Sequence, residues 1–196
     1  MRLNLVILDD FYQDAIEVRE MALSMDFGVR GNYPGQRTIP MATDSAKSAI
    51  QRAIYNFAGE INYWPTEEES YNGAFQYTTS RDRSWIHADQ TTTWAAVCYL
   101  TPNAPLSGGT GLFRHKRTGL SAAPRLQDGS LDHVLLNEIY KDSQDMTKWE
   151  LADFVGNKFN RLVMYRGDLF HTSMDYFGQD MYDGRLFQTF FFSTER

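Results

Sequence analysis

Apolar and polar positions along this 196-residue chain follow first a helical period and then a strand period. Leu3 to Leu8 is a short β-favouring run closed by the Asp9-Asp10 turn. Beyond it Ala15, Ile16, Val18, Met21, Ala22 and Met25 recur at three- and four-residue steps, which predicts an amphipathic helix. Asp9 or Asp10 is placed to cap it. Gly28, Gly31, Pro34 and Gly35 break the pattern, so Phe27 to Pro40 reads as a loop. A second helix is predicted from Thr43 to about Gly59, with Ala46, Ile50, Ala53, Ile54, Phe57 and Ala58 on one side. After a mostly polar connection from Trp64 to Ser70, β-type stretches follow at Ala74–Thr79, Ser84–Asp89, Thr92–Leu100 and Gly111–Arg114. A polar excursion runs from His115 to Ser130, then a helical segment from about Leu131 to Tyr140. Strand candidates at Arg161–Tyr165 and Arg185–Phe192 close the chain. With no repeat, low-complexity tract or linker, the pattern predicts one domain over 1–196. It is α+β and mainly β: a helical support region (1–70), then a mainly antiparallel sandwich or barrel of jelly-roll type (71–196).

Composition narrows the class. Hydrophobic residues make up 42% and aromatic residues 14%, too apolar for a disordered chain. A net charge of -6 argues against a nucleic-acid binder working through a broad basic face. Cys98, the only cysteine, lies in the apolar run Trp94–Leu100, so it reads as a buried inert thiol, and its being alone excludes an intrachain disulfide and a Cys-rich zinc site. The N-terminus meets two acids by position 9, too early for a signal peptide, and no run reaches membrane-spanning length. A soluble, cytoplasmic protein is the expectation.

The chemistry-bearing residues are few. Of the four histidines, His87 stands in Trp85-Ile86-His87-Ala88-Asp89. On a strand, residues two apart share a face, so His87 and Asp89 project together. Alone, a hydrogen-bonded histidine beside an acid is the plainer reading. His171, which follows the strand candidate Asn160–Tyr165 and the turn Arg166-Gly167-Asp168, changes the balance. Two histidines and one carboxylate form the facial triad of non-haem Fe(II) oxygenases, which leaves three coordination positions open. Arg185 then opens the apolar strand Arg185–Phe192. Pointing inward it needs an anionic partner, and its fork matches a carboxylate; pointing outward it is a strand-end cation in water.

Together these residues resemble the 2-oxoglutarate/Fe(II)-dependent oxygenases, especially their prolyl-4-hydroxylase-like branch. The surrounding sequence is similar too. Val97-Cys98-Tyr99-Leu100-Thr101 with Gly108-Gly109-Thr110-Gly111-Leu112-Phe113 resembles that branch's strand pair after its first ligands. Asn160-Arg161-Leu162-Val163 resembles its approach to the second histidine, and Gly184-Arg185 with Thr189-Phe190-Phe191 its closing strand. The likeness covers about Ala74 to Ser193. Asp9-Asp10-Phe11 and Tyr33–Arg37 add a softer similarity to small bacterial and phage members.

The resemblance implies a double-stranded β-helix core with N-terminal helices packed on one sheet. It implies Fe(II) on His87, Asp89 and His171, and Arg185 on the distal carboxylate of 2-oxoglutarate. Tyr77 and Thr189 are further candidates for that co-substrate. O2 is the other co-substrate, and C–H hydroxylation with release of succinate and CO2 is the implied reaction. Position 187 is Phe where many relatives carry Ser or Thr, which removes a hydroxyl neighbour of the arginine. Asp89, a carboxylate, argues against the halogenating relatives.

The substrate is not written in the chain. An amino acid, a peptide or another small molecule fits, with membrane and nucleic acid not expected as partners. Arg81, Arg83, Arg114, Lys116 and Arg117 surround the first ligand pair and are either anion-attracting or simply solvated. Trp85, Trp94, Tyr176 and Phe177 line a pocket or pack a core; His115–Ser130 is a lid or a mobile loop. His115 and His133 read as bystanders. Two other readings stay open: a cupin-like metal enzyme without 2-oxoglutarate, and a non-catalytic jelly-roll binding protein. No P-loop or dinucleotide fingerprint is present.

Overall fold

The computed structural model describes residues 3–29 and 31–195; Met1, Arg2, Arg30 and Arg196, and the parts of the N-terminal and loop expectations that fall on them, lie outside. Among the described residues the chain is mainly β, with three α-helices and two antiparallel sheets. The helices are α1 (Ala15–Leu23), α2 (Asp44–Ala58) and α3 (His133–Tyr140). The larger sheet runs β1 (Leu5–Leu8), β8 (Leu162–Arg166), β5 (Trp94–Tyr99), β10 (Arg185–Thr194), β4 (Phe75–Thr78) and β2 (Gln36–Arg37), with β3 (Ile61–Tyr63) paired to the far end of β10. The smaller one orders β7 (Trp149–Val155), β6 (Thr110–His115) and β9 (His171–Ser173).

The two-residue period decides which face meets what. From the larger sheet Ala96, Cys98, Leu162, Met164, Leu186, Phe190 and Phe192 pack against Ala22 of α1 and Ile50, Ile54 and Ala58 of α2. The alternate residues Ala95, Val97, Tyr99, Val163, Tyr165 and Phe187 face the smaller sheet, represented by Leu112 and Val155. A third cluster backs that sheet, where Leu136 and Ile139 of α3 meet Phe113, Trp149 and Phe170. The helices predicted first in sequence therefore do pack on one sheet, and the site lies between the two sheets.

Several expectations shift. Asp14, not Asp9 or Asp10, caps α1, its carboxylate accepting from the Glu17 amide at 2.9 Å. Asp9 is held by Arg161 (2.6 Å) and Lys158 (2.7 Å), which pull its carboxyl well below the usual range. Ser84–Asp89 is not a strand but an extended segment with one antiparallel bridge, His87 to His171. The loop from Phe27 to Pro40 contains β2, paired to β4. Strand β7 falls in a stretch where no element was predicted. The 115–130 excursion is tied down: the Phe170 amide donates to Ser121 (2.9 Å) and the Ala123 amide to Asp168 (2.7 Å), with Ala123 buried. Trp94 is core, stacked on Phe192. Cys98 is fully buried, which pushes its thiol up and leaves it inert.

The motif fragments acquire physical reasons here. Asn160 adopts a positive φ of 61°, and its carboxamide bonds the Tyr12 amide (2.9 Å) and carbonyl (2.8 Å). It thereby clamps the N-terminal segment beside β8. Gly109 is required by close approach: a Cβ there would lie 1.9 Å from the Val155 carbonyl oxygen.

Candidate metal and co-substrate site

His87 and His171 are fixed by the backbone before any ligand is considered. Their amides and carbonyls exchange hydrogen bonds of 3.0 and 2.8 Å, which brings the ring centroids to 4.4 Å. Asp89 follows on the same side, its amide donating to Gly167 at 2.7 Å. One ligand atom from each of His87, Asp89 and His171 lies within 4.8 Å of the others, the spacing of groups that can share one cation. The bare His171 Nε2 and Asp89 Oδ2 are 3.6 Å apart.

The tautomers agree with that use. His87 Nδ1 lies 2.9 Å from the Trp85 carbonyl and His171 Nδ1 lies 2.8 Å from the Leu169 carbonyl. A carbonyl can only accept, so both Nδ1 atoms carry the proton and both Nε2 lone pairs are free to coordinate. Burial and the neighbouring His87 push His171 down to about 4, partly opposed by Asp89, so it is neutral near pH 7. The Tyr165 ring, 4.5 Å from that of His171 and on the inner face of β8, packs against it.

These groups open onto a cavity of about 480 Å³, within the size range of small-molecule sites. Four successive inward positions of β10, Arg185, Phe187, Thr189 and Phe191, line it. Arg185 is 1% exposed. Its Nε donates to the Gly108 carbonyl at 2.8 Å, while its Nη1 is buried with no hydrogen-bond partner. The guanidinium carbon lies 4.3 Å from the Phe187 ring centroid and 5.3 Å from that of Tyr99. The cation is thus set against two aromatic rings. A buried guanidinium with an unsatisfied N–H and, among the described residues, no carboxylate paired to it is costly unless an anion arrives, so the residues present fit a ligand that brings a carboxylate to Arg185.

Of the predicted site residues, His87, Asp89, His171, Arg185 and Thr189 are thus brought to one cavity. The Thr189 hydroxyl is already directed at the Tyr71 and Ala74 carbonyls at 3.2 and 3.3 Å. Tyr77 does not join them. On β4 it is Gln76 that faces the cavity, so Tyr77 turns to the helical side and packs edge-on to Phe27 at 5.1 Å. The tyrosine beside Arg185 is instead Tyr99, bonded to the Thr110 hydroxyl at 2.7 Å. Tyr99 went unmarked because the run Trp94–Leu100 is apolar at every position, leaving no alternation to tell its two faces apart.

The basic residues suspected near the site are engaged elsewhere. Arg114 pairs with Glu150, Lys116 with the Thr147 carbonyl and Arg81 with the Gln179 carbonyl. Trp85 lines the cavity; Tyr176 and Phe177 line a neighbouring one. His115 is buried against Asp142 at 3.0 Å and His133 is exposed on α3, both apart from the site.

The profile of a family described as "Family of unknown function (DUF6445)" matches residues 1–192. No curated protein matches the sequence. Among solved structures, HygX from Streptomyces hygroscopicus with nickel, 2-oxoglutarate and hygromycin B bound aligns with a TM-score of 0.61 at 10% identity, covering 98% of this chain and 83% of that one. The same protein with nickel and 2-oxoglutarate gives 0.59 at 10% identity and the same coverage. A prolyl hydroxylase from Trichoplax adhaerens, in complex with a hypoxia inducible factor oxygen degradation domain peptide fragment, gives 0.55 at 12% identity, covering 98% and 84%. At such identities the likeness is one of fold: this chain has the prolyl-hydroxylase-like fold of the 2-oxoglutarate/Fe(II) oxygenases.

Proposed function

The chain belongs to the DUF6445 family, and from its site we propose that it is an Fe(II)- and 2-oxoglutarate-dependent oxygenase that hydroxylates a C–H bond. The observation that carries this reading is a pairing: a His87–Asp89–His171 cluster and a buried Arg185 with a free Nη1 face one cavity. A metal triad alone also suits a cupin-like enzyme. The orphaned guanidinium is what calls for a dicarboxylate.

In this reading His87 Nε2, Asp89 and His171 Nε2 hold Fe(II), and the Trp85 and Leu169 carbonyls keep both imidazoles in the ligating tautomer. Arg185, steadied by Gly108, Phe187 and Tyr99, binds the distal carboxylate of 2-oxoglutarate and fixes its orientation toward the metal. Bound iron with 2-oxoglutarate supplies the activation of O2 that oxidises the substrate, with succinate and CO2 as co-products. His171 and Arg185 are buried, which keeps those two groups out of bulk water. The whole chain acts as one such domain, residues 1–70 supporting a jelly-roll core over 71–196.

The test is anaerobic titration of metal-free protein with Fe(II) and then 2-oxoglutarate, following the weak visible charge-transfer band of a keto acid chelated to iron. The band should require both components. It should vanish in His171→Ala and need about tenfold or more 2-oxoglutarate in Arg185→Gln, the effect of losing a charge-assisted pair. Iron binding without the band points to the cupin-like enzyme, and no iron binding removes the reading.

A further inference from the structure

The cavity holds a second guanidinium that the oxygenase reading does not use. Arg37, on β2, is 6% exposed and lines the same space as His87, Asp89 and Arg185. It sits in the corner of two aromatic rings, its guanidinium carbon 3.8 Å from the Tyr33 centroid and 4.7 Å from that of Tyr71. Those rings meet edge to face, with centroids 5.4 Å apart. Its Nε donates to Gln76 Oε1 at 2.9 Å and its Nη2 to the same oxygen. Gln76 is oriented in turn by the Pro34 carbonyl, which accepts from its Nε2 at 2.6 Å. Register reinforces this, because Arg37 and Gln76 are direct partners across β2 and β4.

Among the described residues no carboxylate pairs with Arg37. Aromatic faces and an amide oxygen soften a buried positive charge but do not cancel it. The charge count of the loaded cavity is informative. Among the described residues its charged lining is Arg37, Asp89 and Arg185. A divalent iron with Asp89 and a dianionic 2-oxoglutarate with Arg185 would cancel each other's charge, so the positive charge of Arg37 is the one left without a counter-ion. With Nε and one side of Nη2 given to Gln76, the edge that remains is the planar Nη1–Nη2 pair, which matches the two oxygens of a carboxylate.

Building on the oxygenase reading, we propose that Arg37 binds a carboxylate of the primary substrate, so that the enzyme oxidises a small carboxylic acid such as a free amino acid. Arg37 would set which end of the substrate lies away from the metal, and Tyr33 and Tyr71 would flank that end.

The test is a binding comparison on protein loaded anaerobically with Fe(II) and 2-oxoglutarate. The probes are the protein amino acids as free acids, the same compounds as primary amides, and methyl phosphate. The readouts are displacement of the charge-transfer band and quenching of tryptophan fluorescence, since Trp85 lines the cavity. At least one free acid should bind, with its amide weaker by about tenfold or more. Arg37→Gln should lose that preference while keeping its affinity for 2-oxoglutarate within about twofold; Arg37→Lys should keep part of it. Binding by no acid, equal binding of acid and amide, stronger binding of methyl phosphate, or loss of 2-oxoglutarate itself in Arg37→Gln would each overturn the proposal. The wild-type comparison stands even if a variant fails to fold. If wild type forms no charge-transfer band, the oxygenase reading fails separately, and the acid-against-amide difference in fluorescence still decides the carboxylate subsite.

Discussion

His171 shows how much one buried side chain constrains. Without metal, its imidazole is enclosed and neutral, with its proton affinity lowered from 6.5 to about 4. Between these values the unfolded chain takes up a proton that the folded chain refuses, so folding stability must fall as pH drops through that window and level off below it. Between pH 7.5 and pH 5 the loss from this residue should be about 2 kcal/mol, from 1.36 kcal/mol per pH unit beyond 6.5. Urea unfolding of metal-free protein at the two pH values should show it, and His171→Gln should lose correspondingly less. Equal losses in both proteins would mean that the imidazole is hydrated and not enclosed. Asp9 works with the opposite sign. Its lowered carboxyl contributes stability that is present above the usual carboxylate range and is lost only in stronger acid, so the two effects separate on the pH axis.

At the scale of elements, the Gly108-Gly109 turn couples the smaller sheet to Arg185, the proposed co-substrate anchor. The Gly108 carbonyl accepts from Arg185 Nε, and Gly109 packs on the Val155 backbone where a Cβ would come within 1.9 Å of oxygen. Backbone cannot yield as a side-chain tip can, so Gly109→Ala must displace the turn and its carbonyl. It should cost about 1–3 kcal/mol in stability, the range of overpacking, and should weaken 2-oxoglutarate more than it weakens iron. Unfolding curves and the two titrations check both parts; an equal loss of iron affinity would contradict this coupling. For α2, Thr43 accepts from the Ala46 amide at 3.2 Å, so Thr43→Ala should cost about 1 kcal/mol with ligand binding unchanged.

The same scale explains what was legible in the sequence. Helix α2 lies within one residue of its predicted ends at both termini, because Thr43 and Gly59 bracket the buried stripe Ala46, Ile50, Ile54 and Ala58; Phe57, predicted on that side, is exposed instead. Strands β5, β8 and β10 were visible as apolar runs. The triad residues were visible because His87 and Asp89 share one extended segment and few histidines compete for a role. Strand β7 was not visible: only Trp149 and Val155 of Trp149–Val155 are buried, and a register shift opposite Leu112/Phe113 breaks the alternation. The side taken by Tyr77 was legible, because Phe75-Gln76-Tyr77-Thr78 alternates and puts Tyr77 on the face of Phe75, whereas that of Tyr99 was not, because its run shows no alternation. Arg37 escaped for that reason too, lying in a two-residue strand inside what reads as a glycine-rich loop.

For the whole molecule, the distribution of ligands between the sheets has a thermodynamic consequence. His171 belongs to β9 of the smaller sheet, His87 bridges to it, and Arg185 belongs to β10 of the larger one. In the proposed reading iron would tie together groups on the smaller sheet's side, whereas 2-oxoglutarate held by both that iron and Arg185 would link the two sheets. A ligand bound only by the folded state adds stability of RT ln(1 + [L]/Kd), about 2.7 kcal/mol at a hundredfold excess over Kd. For a chain of this length each 1 kcal/mol raises Tm by roughly 2–4 °C, so each ligand at that excess should add roughly 5–11 °C. The increments should be ordered: iron alone raises Tm, and 2-oxoglutarate adds to it only when iron is present. His171→Ala should lose both increments, and Arg185→Gln only the second. Thermal unfolding under anaerobic conditions with Fe(II), with 2-oxoglutarate, and with both separates these cases. A 2-oxoglutarate increment that survives Arg185→Gln would mean the dicarboxylate does not span the sheets, and the orphaned Nη1 would then need another anion to explain it.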